Sequence, residues 1–335
     1  MVARRPRPGY TLLELLVAVA IVAVLIGLLL GAVQKIRNAA YRAQSHNGFR
    51  NVGLATHSYE ATNLTLPGLA EPQNARSPAA TQFNASLFFV LLPHAEGGNL
   101  FRAGAATRAA YADASKRVFK PYLVSADDSA PSGVVPDAGD AAAGNLAANT
   151  ALFGKYAVNT NPSPAVPISS WYKFTNYNAR RKLGGVPDGT TQTVMFAEKR
   201  AVCGYGGSAW AVTDQSAVNG VPQAPADWVY DKSGADLFPH LAAYSFPMSY
   251  HLWYLAGGVG TPPTEGCSPG GARQRTPQNR PGLSECSPLV PQGLTVGGAV
   301  VSLADGSSRF VRDSIDVATW FYLSVPDDGK TVDIP

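Results

Sequence analysis

The side chains able to carry chemistry in this 335-residue chain are few: five histidines, three cysteines and 23 carboxylates. His46, His57, His94, His240 and His251 show neither the His-x3-His nor the His-Glu-x2-His spacing that sets two imidazoles on one helix face for zinc. His57 stands two residues before Tyr59 in a stretch of helical character, and its expected role is packing or capping. The acidic pairs Asp127-Asp128 and Asp327-Asp328 read as solvated, and no loop alternates oxygen-bearing residues in the manner of an EF-hand. The glycine-rich pieces lack Gly-x4-Gly-Lys-Ser/Thr, so no phosphate loop is expected. Neither metal nor cofactor is expected, and the chain is read as a non-enzyme with no nameable catalytic residue. A Ser-His-Asp triad is the one arrangement that spacing does not test, because its members need not be near in sequence.

The cysteines show no Cys-x-x-Cys pair. Cys267 and Cys286 flank a Pro/Gly/Arg-rich stretch and share a Cys-Ser-Pro frame. A disulfide between them would close a loop of about 20 residues, worth about 3 kcal/mol in the chain-entropy model, if the chain reaches an oxidising compartment. The alternative is two free thiols. Cys203 is left over and expected to be buried. Two aromatic clusters, Trp171, Tyr172, Phe174 and Tyr177, and Tyr244, Phe246, Tyr250, Trp253 and Tyr254, could stack on a glycan or a partner, although core packing accounts for them more simply.

Those residues need elements to hold them. The strongest element is an apolar run, Leu15 to Val33, 19 uncharged positions spanning about 28 Å as a helix and thus the hydrocarbon thickness of a bilayer. Arg4, Arg5 and Arg7 precede it, and Lys35, Arg37 and Arg42 follow it. Charge count alone barely orients the span, and the long downstream region argues that the C-terminal side is the exported one. A cleavable secretory signal should have a shorter apolar core, and its small-x-small site (Ala18-Val19-Ala20) would lie inside the run. A plain signal anchor is the other alternative. Gly27-x3-Gly31 permits close helix approach. Three of the chain's net +4 charges belong to the arginines before the run. A chain without them is nearly neutral, so no nucleic-acid partner is expected.

From Gln34 to about Thr62 the pattern continues as helix, with Ile36, Ala40, Ala43, Phe49, Val52 and Tyr59 as an apolar face and Lys35, Arg37, Arg42 and Arg50 elsewhere. Leu66-Pro67-Gly68 ends it. Beyond lie loops and short strands. Ser86–Pro93 reads as buried, Gln192–Ala197 as a strand after the Pro187-Asp188-Gly189 turn, and Ala299–Leu303 with Ser308–Val311 as a hairpin closed by Asp305-Gly306. Residues 125–150, rich in Ala, Asp, Gly and Ser, read as a mobile loop, and 257–293 as a second loop-rich stretch.

The residues before the apolar run carry a resemblance. Gly9-Tyr10-Thr11-Leu12-Leu13-Glu14 is similar to the type IV prepilin processing signature: Gly, an aromatic that is usually Phe, Thr, Leu, any residue, Glu. The resemblance implies that a prepilin peptidase cuts after Gly9 and methylates the amine of Tyr10. It also implies that Glu14 meets the terminal amine of a neighbouring subunit. A carboxylate at the edge of a membrane helix costs about 2–3 kcal/mol unless paired, which favours such a role.

A longer resemblance spans nearly the whole chain, as islands. Gly53-Leu54-Ala55-Thr56-His57-Ser58-Tyr59, Leu91-Leu92-Pro93-His94, Asp188-Gly189-Thr190 before the strand and Glu198, and Asp305-Gly306 after Gly297-Gly298-Ala299 resemble a planctomycete-type family of pilin-like proteins of unknown function. Two positions depart from it. The histidine of the family's C-terminal His-x9-Asp-Gly motif is Thr295 here, and a frequent cysteine is Val124. Asp305-Gly306 is therefore read as a turn rather than a functional acid.

The resemblance implies an α+β, pilin-like fold, with a long N-terminal helix, half in the membrane and half packed, against an antiparallel β-sheet domain with long loops. The expected organisation is a leader at 1–9, a transmembrane and assembly helix at 10–33, an exported helical half at 34–62 and an exported domain at 63–335. Expected partners are the prepilin peptidase, the membrane, other pilin-like subunits and secretion machinery. The expected function is a pseudopilin-type structural subunit in the inner membrane. The alternative is a surface-anchored solute-, glycan- or envelope-binding module on a pilin-like anchor.

Overall fold

The computed structural model describes residues 11–73, 83–136, 139–158, 172–176, 179–203, 206–211, 243–244, 276–283, 285–286, 290–327, 329–332 and 334. One helix, α1, runs unbroken from Leu12 to Asn63. At 1.5 Å per residue it is about 78 Å long. Thr11 caps its start, and Leu64 ends it in the left-handed conformation (φ 62°) with its N–H on Glu60 O. Every residue from Thr11 to Ala40 is exposed, and contact with the domain begins at Tyr41.

The packed half differs from the expected apolar face. Ile36 is 69% exposed, and Ala40 and Ala43 are also exposed. The buried positions are Ser45, Phe49, Val52, Gly53, Ala55 and Thr56. Of these, Phe49 and Val52 enter the core, and the partly buried Tyr59 packs against it as expected. Arg42, assigned to the solvent side by its charge, lies over the Phe310 ring at 3.9 Å.

The main sheet has five strands in the order Ala243–Tyr244, Leu146–Asn149, Val194–Glu198, Gly298–Leu303 and Ser308–Arg312. Its four longer strands are antiparallel neighbours, and the short edge strand Ala243–Tyr244 pairs in parallel. The Val194–Glu198 and Gly298–Leu303 strands are buried along their whole length, because α1 packs near one face and the helix Val317–Ser324 covers the other. Alternation is therefore lost in both, as expected for strands buried on two faces.

The apolar run after Ser86 is a helix, Leu87–Leu91, capped by Ser86, and it is wholly buried. Phe88 and Phe89 sit there among Tyr111, Tyr122, Phe196 and Trp210. Such ring pairs add about 0.5–1.5 kcal/mol beyond area burial.

Two loop expectations need correction. Residues 125–150 contain the strands Val134–Val135, Ala141–Ala142 and Leu146–Asn149, and Ala141 to Thr150 is continuously buried. The small residues that made this stretch look like a loop are what a crowded interior requires: a Cβ on Gly144 would stand 2.9 Å from Trp210 Cβ. Asp127 is likewise not solvated. Its carboxylate accepts from Ser129 N, Asn145 Nδ2 and Ala201 N, while Asp128 beside it is exposed and pairs with Arg200 at 2.6 Å.

The disulfide differs as well. Cys203 is bonded to Cys286, with Cα atoms 5.1 Å apart. Cys203 is buried as expected but is not left over. The Cys-Ser-Pro frames suggested a pair within one loop, whereas the domain brings Cys286 back to the strand that holds Cys203. Cys267 lies outside the described residues, as do Trp171, Tyr177, Phe246, Tyr250, Trp253, Tyr254, His240 and His251. Tyr172, Phe174 and Tyr244 fall on strands.

Candidate functional site

Gly9 and Tyr10 precede the described residues. Immediately after them the chain closes a capping box. Thr11 N–H donates to Glu14 Oε2 at 2.8 Å, Thr11 Oγ donates to the same oxygen at 3.0 Å, and Glu14 N–H donates to Thr11 Oγ at 3.2 Å. This Thr-x-x-Glu box satisfies donors that a helix start leaves unpaired. It also folds the Glu14 carboxylate back onto Thr11 at the start of the helix. Gly27 and Gly31 share an exposed face of α1, with nothing near either Cβ position.

The resemblance motifs converge on one joint between α1 and the sheet. The turn Asp305-Gly306 closes the hairpin, with Asp305 Oδ1 accepting from Ser307 N at 2.8 Å and Gly306 at φ +82°. Gly53 of α1 faces this turn so closely that a Cβ there would stand 3.2 Å from Gly306 Cα. One helical turn on, His57 Nε2 donates to Ala304 O at 2.9 Å. On the other side, the Asp188-Gly189 turn (Gly189 φ +90°) supports the hairpin: Asp305 N donates to Thr190 O, and Ala304 N to Thr193 O. Asp188 is buried and accepts from Gly329 N at 2.7 Å. Tyr59 meets His94 edge-on at 5.7 Å, and Ser58 shares a 2.8 Å hydrogen bond with His94. Burial, then the Glu71 charge, pushes the Tyr59 hydroxyl up to about 12.

A second polar group lies nearer the start of the packed half. Glu198 is fully buried, and its Oε2 accepts from Val300 N at 3.0 Å and Leu294 N at 3.3 Å. Burial raises its carboxyl to about 7, against the opposing effects of Ser45, the two backbone donors and Arg42. Ser45 lies beside the carboxylate, and neither Glu198 Oε1 nor Ser45 Oγ has a hydrogen-bond partner of good geometry among the described residues. Arg42 donates to Val296 O at 3.0 Å, and His46 shares a 2.9 Å hydrogen bond with Ser308. Thr295, where the family motif has histidine, is buried, and its hydroxyl has no hydrogen-bond partner among the described residues.

Reading the sequence for charge missed Arg42, Ser45 and His46. The signal was their spacing: with Phe49, Val52, Gly53, Thr56 and His57 they form one stripe at i, i+3 and i+4. Among the described residues no group of three or more His, Cys, Asp or Glu side chains gathers as metal ligands. What this arrangement can do is dock a helix on a sheet through backbone turns and buried polar side chains.

The start of the chain matches the prokaryotic N-terminal methylation motif over residues 4–30. With a helix long and apolar enough to cross a membrane leading into an α+β domain, this defines a membrane-anchored, pilin-like protein of the prepilin-processed type. The chain belongs to the family described as protein of unknown function (DUF1559), which matches residues 34–318. Neither description names an enzymatic activity. No curated protein and no solved structure matches the chain.

Proposed function

We propose that this protein is a pseudopilin-type structural subunit, cut after Gly9 by a prepilin peptidase and held in the inner membrane by residues 10–33. Residues 63–335 are then the exported domain, carried on the 34–62 half of the helix, and the subunit joins a pilus-like or type II secretion assembly. The observation that supports this reading best is the Thr11–Glu14 box. It holds the Glu14 carboxylate on Thr11, four residues in sequence after Tyr10 and exposed to a neighbouring subunit. The apolar half of α1, exposed throughout, supplies the surface for lateral contact. A disulfide between Cys203 and Cys286 fits an oxidising compartment outside the cytoplasm.

The test is the mass of the mature N-terminus together with cross-linking in membranes. The expected product begins at N-methylated Tyr10, and Glu14→Ala reduces cross-linking between subunits while leaving cleavage intact. An intact Met1, or a cut elsewhere, overturns the processing. Unchanged cross-linking in Glu14→Ala favours the second reading, an anchored module that binds a solute, glycan or envelope partner.

A further inference from the structure

We propose that the membrane-proximal end of the domain is a docking surface for anionic phospholipid headgroups, formed by Lys35, Arg37 and Arg312 around the exposed Val296. The proposal rests on residues 10–33 spanning the bilayer.

The heights follow from matching contacts along α1. As the helix proceeds from Arg42 to His46, Gly53 and His57, its partners on the hairpin are Phe310, Ser308, Gly306 and Ala304. The strand Ser308–Arg312 therefore runs back toward the membrane beside the helix. Four helical residues rise about 6 Å and two strand residues span about 6.6 Å, so Arg42 to His46 and Phe310 to Ser308 keep level. Arg42 lies about 13 Å beyond Val33, where the apolar run ends. Arg312, two strand residues below Phe310, comes to about 7 Å beyond Val33. Lys35 and Arg37 stand about 3 and 6 Å beyond it. The polar layer of one leaflet is about 5–8 Å thick, so all three cations fall within it.

The side chains are disposed to use that position. Lys35 precedes Arg42 by seven residues and so shares its face of α1, the face toward the hairpin. Arg312 continues the row of Ser308 and Phe310 and is exposed. Arg37 is braced, with Nε donating to Tyr41 Oη at 2.6 Å. Val296 is 58% exposed at the same end, fixed through its carbonyl to Arg42. The nearby acid, Asp313, accepts from Asn279 Nδ2 at 2.7 Å. Lysines and arginines beside the exported end of a span work against export. Contact with an anionic leaflet gives them a role there.

The experiment is hydrogen exchange of the full-length mature protein in nanodiscs of phosphatidylcholine alone or with phosphatidylglycerol. Each cation near an anionic surface contributes about fivefold in affinity. Amides of residues 295–298 and 311–313 are expected to exchange at least fivefold more slowly with phosphatidylglycerol. High salt, or the variant K35Q/R37Q/R312Q, should abolish the difference. Equal exchange in both lipids overturns the proposal, as does protection that persists in the variant. Protection that depends on protein concentration rather than lipid charge also overturns it and makes the surface a contact between subunits. A nanodisc exposes both leaflets, so the result is independent of which side of the cell the domain occupies. Protease shaving of spheroplasts tests that orientation separately.

Discussion

Glu198→Gln should remove a pH dependence that the wild-type domain carries. The carboxyl is raised from 4.5 to about 7 by burial. A folded-state value above the unfolded one means that the native state prefers the protonated form. The associated stability is complete below about 4.5 and is lost as pH rises through about 7. At 1.36 kcal/mol per unit the full loss is about 3 kcal/mol, an upper limit for one carboxyl. Glutamine keeps an oxygen for Val300 N–H and Leu294 N–H and offers its amide to Ser45, so it should fold without that loss. The assay is urea unfolding of the detergent-solubilised full chain from pH 5 to 8. Burial lowers both His46 and His94 from 6.5, an effect of opposite sign that makes stability rise with pH. The difference between wild type and variant cancels their contribution. The expected result is near-equal stability at pH 5 and a variant more stable by up to about 3 kcal/mol at pH 8. Parallel pH profiles for the two proteins would refute the reasoning. Glu198→Leu strands two buried N–H groups and should cost about 2–5 kcal/mol even at pH 5.

Gly53→Val should cost about 1–3 kcal/mol, because the branched side chain meets Gly306 Cα and Ser302 Oγ at the closest approach of helix and hairpin. Gly48→Ala, whose Cβ would meet only Pro121 O at 3.7 Å, should be neutral or stabilise by up to about 1 kcal/mol; thermal unfolding of the pair separates close packing from helix propensity. Gly306→Ala, at φ +82°, should lose about 1 kcal/mol or more and weaken the seat of His57, visible as faster exchange of the amides of residues 304–307. Cys203→Ser should lower stability by about 4.5 kcal/mol in the chain-entropy model, since the bridge spans 83 residues, while Cys267→Ser should leave it unchanged. Peptide mapping without reductant should find the Cys203–Cys286 pair, and a Cys267–Cys286 product would overturn it.

Much was legible where the physics is local. The apolar run and the Asp305-Gly306 hairpin each depend on residues within a few positions of one another, so period and turn chemistry suffice to read them. The alanines of residues 141–148 misled because small side chains suit both loops and tight interiors, and only Trp210, far along the chain, shows which applies. The cysteine pairing misled for a related reason. Similar frames reveal local likeness, while a disulfide needs two Cα atoms within about 7 Å.

The sequence by itself determined that a long helix begins after a prepilin-like start and that its first half is apolar. These are properties of consecutive residues. Only the tertiary structure decided that the islands of Gly53 to Tyr59, Asp188-Gly189 and Asp305-Gly306 are parts of one joint. It alone decided that Glu198 is buried beside Ser45 and Arg42, and that Cys203 joins Cys286. The physical reason is that burial and pairing depend on which distant segments approach, and neither charge nor periodicity along one segment encodes what that segment will face.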